Sequence, residues 1–125
     1  MELSQTPKHA LFNEEKLAEL HQIAGGNKDF LTKIAQTYLK QFEDRFPELK
    51  QAVQREDHEQ VEQLAHLLKG ASYSVGLEQT AEQFHTLERA GEEEVSDDLD
   101  PVLDTIEQQM ERFSVEWDDH FDRFN

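Results

Sequence analysis

The stretch Leu64-Ala65-His66-Leu67-Leu68-Lys69-Gly70-Ala71-Ser72-Tyr73-Ser74-Val75-Gly76 decides how this chain is read. On a helix turning about 100° per residue, with His66 set at 0°, Val75 falls at about 180°, Leu64 at about 160°, Leu68 at about 200°, Ala71 at about 140° and Val61, just upstream, at about 220°. These positions make one apolar stripe. Glu59, Glu62, Gln63, Lys69, Gly70 and Tyr73 lie with His66 on the opposite face. His66 therefore sits near the middle of an exposed face, and Gly70 lies one turn further along it. A glycine inside a helix costs about 1 kcal/mol relative to alanine. Its place beside an exposed histidine points to a surface shaped for close approach.

Outward from this helix the pattern stays helical. Asp57 with Gln60 resembles a capping box, so the helix is expected over residues 58–75, with Gly76 at its end. Upstream, Asn13 can cap a short helix whose stripe is Leu17, Leu20, Ile23 and Ala24, ended by Gly25-Gly26. Asn27 can cap the next. Phe30, Leu31, Ile34, Ala35, Tyr38, Leu39, Phe42 and Phe46 give that helix a broad inward face. Pro47 is expected to kink or restart it before the stripe continues through Leu49, Ala52 and Val53 to about Arg55. Downstream, residues 78–90 read as a helix with Ala81, Phe84 and Leu87 inward and Gly91 closing it. The last helix is expected to begin between Ser96 and Pro101, with a stripe running from Leu99 through Trp117 to Phe124. Residues 1–12 read as a loose or partly docked lead-in. No stretch alternates apolar and polar residues over a strand length. The expectation is an all-α fold: an antiparallel four-helix bundle with a short N-terminal helix as lid, in a single domain spanning residues 1–125.

Composition narrows the function classes. The 125 residues are 36% hydrophobic and 32% charged, and eight of the eleven aromatics are Phe, enough for a real core. Twelve Lys and Arg against 28 Asp and Glu give a formal net charge of -16. Such a surface repels nucleic acid and anionic membranes, so neither is an expected partner. Mean hydropathy is -0.83, no apolar run approaches a membrane span, and the N-terminus lacks the pattern of a signal peptide. A soluble cytoplasmic protein, expected to be monomeric, is the simplest reading. The absence of cysteine excludes disulfides, thiolate catalysis and cysteine-ligated metals. No metal site is expected among the histidines: His58 and His66 stand about 12 Å apart along one helix, His85 reads as a boundary residue, His120 lies among acids, and His9 and His21 belong to the N-terminal part.

The run His66-Leu67-Leu68-Lys69-Gly70-Ala71-Ser72, closing on Gly76, resembles the signature of histidine-containing phosphotransfer (HPt) domains. Gly25-Gly26-Asn27 with Phe30-Leu31, Asp57 ahead of Val61 and Leu64, and Leu87-Glu88 are further points of likeness, so that the resemblance spans residues 14–91. Tyr73 stands where a smaller residue is common, and Leu77 where Ala is common. Both are expected beside the docking surface. The resemblance implies a phosphorelay intermediate, a carrier without turnover of its own. It would accept a phosphoryl group on His66 from the receiver-domain aspartate of a hybrid sensor kinase and pass it to the receiver of a response regulator. It also implies that the receiver, not this chain, brings Mg²⁺. Lys69 and Gly70 are the expected phosphoryl or partner contacts, with Glu62, Gln63 and Tyr73 on the docking rim.

The residue types suit that chemistry. A solvent-exposed imidazole, ordinarily titrating near pH 6.5, is mostly neutral at physiological pH and can attack phosphorus without a neighbouring base. No carboxylates beyond Glu59 and Glu62 are expected to face His66, too few for a metal site. Two other readings stay open on sequence alone: an acidic helical adaptor that binds a receiver or kinase without carrying phosphate, and an acidic mimic of nucleic acid.

Overall fold

The computed structural model describes residues 11–95 and 97–122. Five helices follow in order: α1 (Glu14–Ala24), α2 (Lys28–Arg55), α3 (His58–Ser74), α4 (Glu78–Glu92) and α5 (Asp100–Asp122). Helices α2 to α5 form the antiparallel four-helix bundle, and α1 closes one end. The residues read as caps start the helices. Asn13 accepts from Lys16 N, Asn27 from Phe30 N and Asp57 from Gln60 N, each satisfying a backbone donor that the first turn leaves open. Asp98 accepts from Asp100 N ahead of α5. Ser96, Phe124 and His9 lie outside the described residues.

The core has two halves. Leu17, Leu20, Leu31, Tyr38, Phe113, Trp117 and Phe121 fill the end under α1. Phe46, Leu49, Leu64, Leu68, Phe84 and Ile106 fill the other, and Met110 packs against both. Where they meet, the buried Tyr38 Oη lies 2.8 Å from Ser72 Oγ, tying α2 to α3. Burial pushes the Tyr38 phenol far up, so it stays a protonated hydrogen-bonding group. Thr80 Oγ1 donates to Gln109 Oε1 at 2.7 Å, the corresponding polar tie between α4 and α5.

Several expectations need correction. Helix α2 does not restart at Pro47 but runs through it. Pro47 lies on the exposed side, while Phe46 and Leu49 are buried on either side of it and hold the helix to the core. Gly91 does not close α4; it lies inside the helix, buried. A Cβ there would meet Glu62 N and His58 O at 2.7 Å, so Gly91 is where the backbones of α3 and α4 touch. Phe30 and Ile23, read as inward, are exposed. Leu77, read as beside the docking surface, is completely buried in the core under α1. The last residues of the expected lead-in are docked: Leu11 is buried, and the Phe12 ring packs 5.9 Å from that of Phe113.

Gly76 shapes the corner after α3. Its φ of 77° is one that side-chain-bearing residues rarely adopt. Its carbonyl accepts from Asn13 N at 2.7 Å, so the turn that ends α3 also seats α1.

Candidate functional site

His66 projects from the exposed face of α3, opposite the buried Leu64, Leu68 and Val75. Its side chain is 69% exposed, yet one ring atom is engaged: Nδ1 lies 2.8 Å from Glu88 Oε2. Glu88 comes from α4 and is buried. Lys69, one turn along α3 from His66, places Nζ 2.7 Å from Glu88 Oε1, and His85 Nδ1 lies 3.6 Å from the same oxygen. One carboxylate thus gathers an ammonium and two imidazoles at the seam between α3 and α4.

Burial acts most strongly on Glu88 and disfavours its charged form. The hydrogen bonds and charges of Lys69 and His66 together outweigh burial and hold the carboxyl below its ordinary value. Glu88 is therefore a carboxylate at neutral pH and can only accept. In the neutral form of the ring the His66 Nδ1–H donates to it, which leaves the lone pair on Nε2, at the solvent side.

The expected site residues are thus sorted. His66 and Lys69 share Glu88. Gly70 is exposed, and a Cβ there would meet nothing within 4 Å. Gln63 and Tyr73 are exposed, Tyr73 with 45% of its surface. Glu62 is half-buried, its backbone against Gly91. His85 is not a boundary residue of the core but a member of the cluster. The site residue that sequence reasoning missed is Glu88. A signal for it exists: Ala81, Phe84 and Glu88 follow the spacing i, i+3, i+7 of one helix face, so Glu88 falls on the inward side of α4. Among the described residues, no three His, Asp or Glu side chains are grouped to hold a metal ion, and no helix is long and apolar enough to cross a membrane.

Residues 33–116, more than half of the chain, match the family model described as the Hpt domain. The chain belongs to the Hpt domain family. It is accordingly a histidine phosphotransfer intermediate of two-component signalling, a member of a family of phosphocarriers that work with receiver domains. The fold has a counterpart in the crystal structure of histidine-containing phosphotransfer protein B (HptB) from Pseudomonas aeruginosa, with 18% identity, a TM-score of 0.77, and coverage of 94% of this chain and 100% of that one. A comparison with curated proteins gives no match.

Proposed function

We propose that His66 Nε2 is the atom that carries the phosphoryl group. The observation behind this is the Nδ1–Glu88 hydrogen bond of 2.8 Å on an otherwise exposed ring, which sets the tautomer and aims the lone pair outward. In the forward step the Nε2 lone pair attacks the phosphorus of an aspartyl phosphate on a receiver. The Nε2–P bond forms, the bond from phosphorus to the aspartyl oxygen breaks, and its electron pair stays on the aspartate as carboxylate. The proton on Nδ1 does not move. The imidazole ring consequently gains positive character as phosphorus bonds, and the Glu88 carboxylate beneath it, 2.8 Å from Nδ1, stabilises that charge. Onward transfer reverses these events with the aspartate of a second receiver as nucleophile.

Lys69 has a positioning role in this scheme. Its ammonium holds Glu88 ionised and in place, and contact with a phosphoryl oxygen requires it to leave that carboxylate. Gly70 keeps the approach beside His66 open, with Gln63 and Tyr73 on the rim. Mg²⁺ comes with the receiver, which also holds the acceptor aspartate. The chain works in the cytoplasm as a monomer, without turnover of its own. The test uses phosphoramidate, a small donor that needs no docking. It should load wild-type protein with acid-labile phosphate and leave His66→Gln unlabelled. Equal labelling of the two proteins would overturn the assignment.

A further inference from the structure

Charge is not spread evenly around His66. Against a whole-chain charge of -16, α2 alone carries Lys28, Lys33, Lys40, Arg45, Lys50 and Arg55, with only Asp29, Glu43, Asp44 and Glu48 opposing them. Two surface grooves lie between α2 and α3. One, of about 350 Å³, is bordered by Phe30, Lys33, Thr37, Ala71 and Ser74. The other, of about 650 Å³, is bordered by Thr37, Lys40, Asp44, Arg45 and Leu67. Thr37 and Gln41 belong to both, so the two make one trough. Its border carries three cations and one acid.

The trough flanks the nucleophile. Leu67 and Ala71 stand on the α2 side of His66, and Gly70 lies between His66 and the trough with open space above it. The opposite flank, toward α4, is occupied by the Glu88 cluster and Glu62. Phe30 and Leu67 expose 41% and 40% of their surfaces, leaving apolar area for a partner to cover. Among the described residues Lys33 has no ion-pair partner. Lys40 pairs with Asp44 at 3.4 Å and Arg45 with Glu48 at 3.3 Å, exposed contacts within one helix that a partner's carboxylates can displace.

We propose that this trough selects the receiver: it takes a receiver domain whose surface beside the acceptor aspartate is acidic, with carboxylates meeting Lys33, Lys40 and Arg45 and apolar side chains covering Phe30 and Leu67. This rests on the reading of His66 as the phosphoryl carrier. The charge pattern gives the selection its direction. The field of a chain at -16 repels an acidic partner in most orientations, while the basic strip on α2 rewards the one orientation that presents the receiver's aspartate to His66. A receiver with a basic surface meets the opposite arrangement: it is drawn to acidic faces away from the nucleophile and opposed at the trough.

The test compares wild type, Lys33→Glu/Lys40→Glu on α2, and Lys16→Glu/Arg112→Glu on α1 and α5, which makes the same charge change away from the trough. Each is loaded first from phosphoramidate and then from purified phosphorylated receiver domains that differ in charge beside the acceptor aspartate. All three proteins should load equally from phosphoramidate, which also reports that they are folded. From an acidic receiver the α2 variant should lose at least about tenfold in transfer rate, and the control variant should stay within about twofold of wild type. A receiver with those acids changed to lysine should recover transfer with the α2 variant and lose it with wild type. If all three proteins load but transfer alike from every receiver, or if the charge-reversed receiver recovers nothing, the trough is not the selecting surface. If wild type does not load from phosphoramidate at all, the carrier reading itself falls and the role of the trough falls with it.

Discussion

A histidine at the surface is a poor candidate for chemistry until something holds its ring, and here Glu88 does so. Changing Glu88 to Gln keeps a hydrogen-bonding group of the same size and removes the charge. A hydrogen bond to a charged group is worth about 1.5–3 kcal/mol, so phosphoramidate labelling of His66 should slow by about 10- to 100-fold in Glu88→Gln. Stability at neutral pH should change by less than about 1 kcal/mol, because Lys69 and His66 can turn to water once released. Parallel rate and denaturation measurements on one preparation check both. The same residue sets an acid dependence. The folded-state pKa of Glu88 is depressed below 4.5, so its contribution to stability is present above that value and is lost as pH falls through the depressed one. The stability difference between wild type and Glu88→Gln should therefore hold constant from neutral pH down to about 4.5 and shrink below it, as urea titrations at stepped pH can show. The shared face of His66 and Lys69 was legible in the sequence because both lie on one helix, where spacing fixes the face. Glu88 was not, because it reaches them across the α3–α4 seam and the register of two packed helices is set by their contacts. Only its place in the Ala81–Phe84–Glu88 pattern hinted that it turned inward.

At the scale of the elements, two glycines, one on the open face of α3 and one at the α3–α4 seam, have opposite tasks. Gly70 is exposed with nothing within 4 Å of a Cβ, whereas Gly91 would press a Cβ against backbone atoms of α3 at 2.7 Å. Gly70→Ala should stabilise α3 by about 1 kcal/mol. Gly70→Gln should melt no lower than wild type yet transfer from a receiver about 100-fold more slowly, since roughly 1 Å of misplacement between reacting atoms has that effect. Gly91→Ala should instead destabilise by about 1–3 kcal/mol through overpacking, despite the better helix propensity of alanine. Melting curves of the three variants, with transfer rates for the Gly70 pair, decide the matter. Most helix starts were readable because a cap is a local device: Asn13, Asn27 and Asp57 each act on a backbone N–H three residues on. Gly91 was misread because glycine serves both as a helix terminator and as a point of close approach, and sequence does not say which. Of the two outcomes expected at Pro47, a kink or a restart, the restart does not occur: the buried Phe46 and Leu49 carry α2 through a residue that would break an unsupported helix.

Across the whole molecule, the two halves of the core divide the labour. The half under α1 includes Leu17, which is completely buried, while the His66 face rests on the other half beside Ala65 and Leu68. Leu17→Ala should therefore lose about 2–5 kcal/mol of stability. Phosphoramidate labelling of the folded fraction should be unchanged, which denaturation and labelling below the melting range can test together. The bundle was legible from four long apolar stripes and the breaks between them. The exposure of Phe30 and the burial of Leu77 were not, since both depend on where α1 and α3 lie against α2. The central claim is that His66 passes phosphate between receivers, and a labelled chase tests it most directly. Labelled phosphate is placed on one purified receiver with Mg²⁺, this chain is added, and an unlabelled second receiver follows. The label should appear on the chain in acid-labile form and then reach the second receiver, whereas His66→Gln, still folded at the assay temperature, should carry none and block the relay. Label on the His66→Gln chain, or undiminished passage to the second receiver in its presence, would contradict the account.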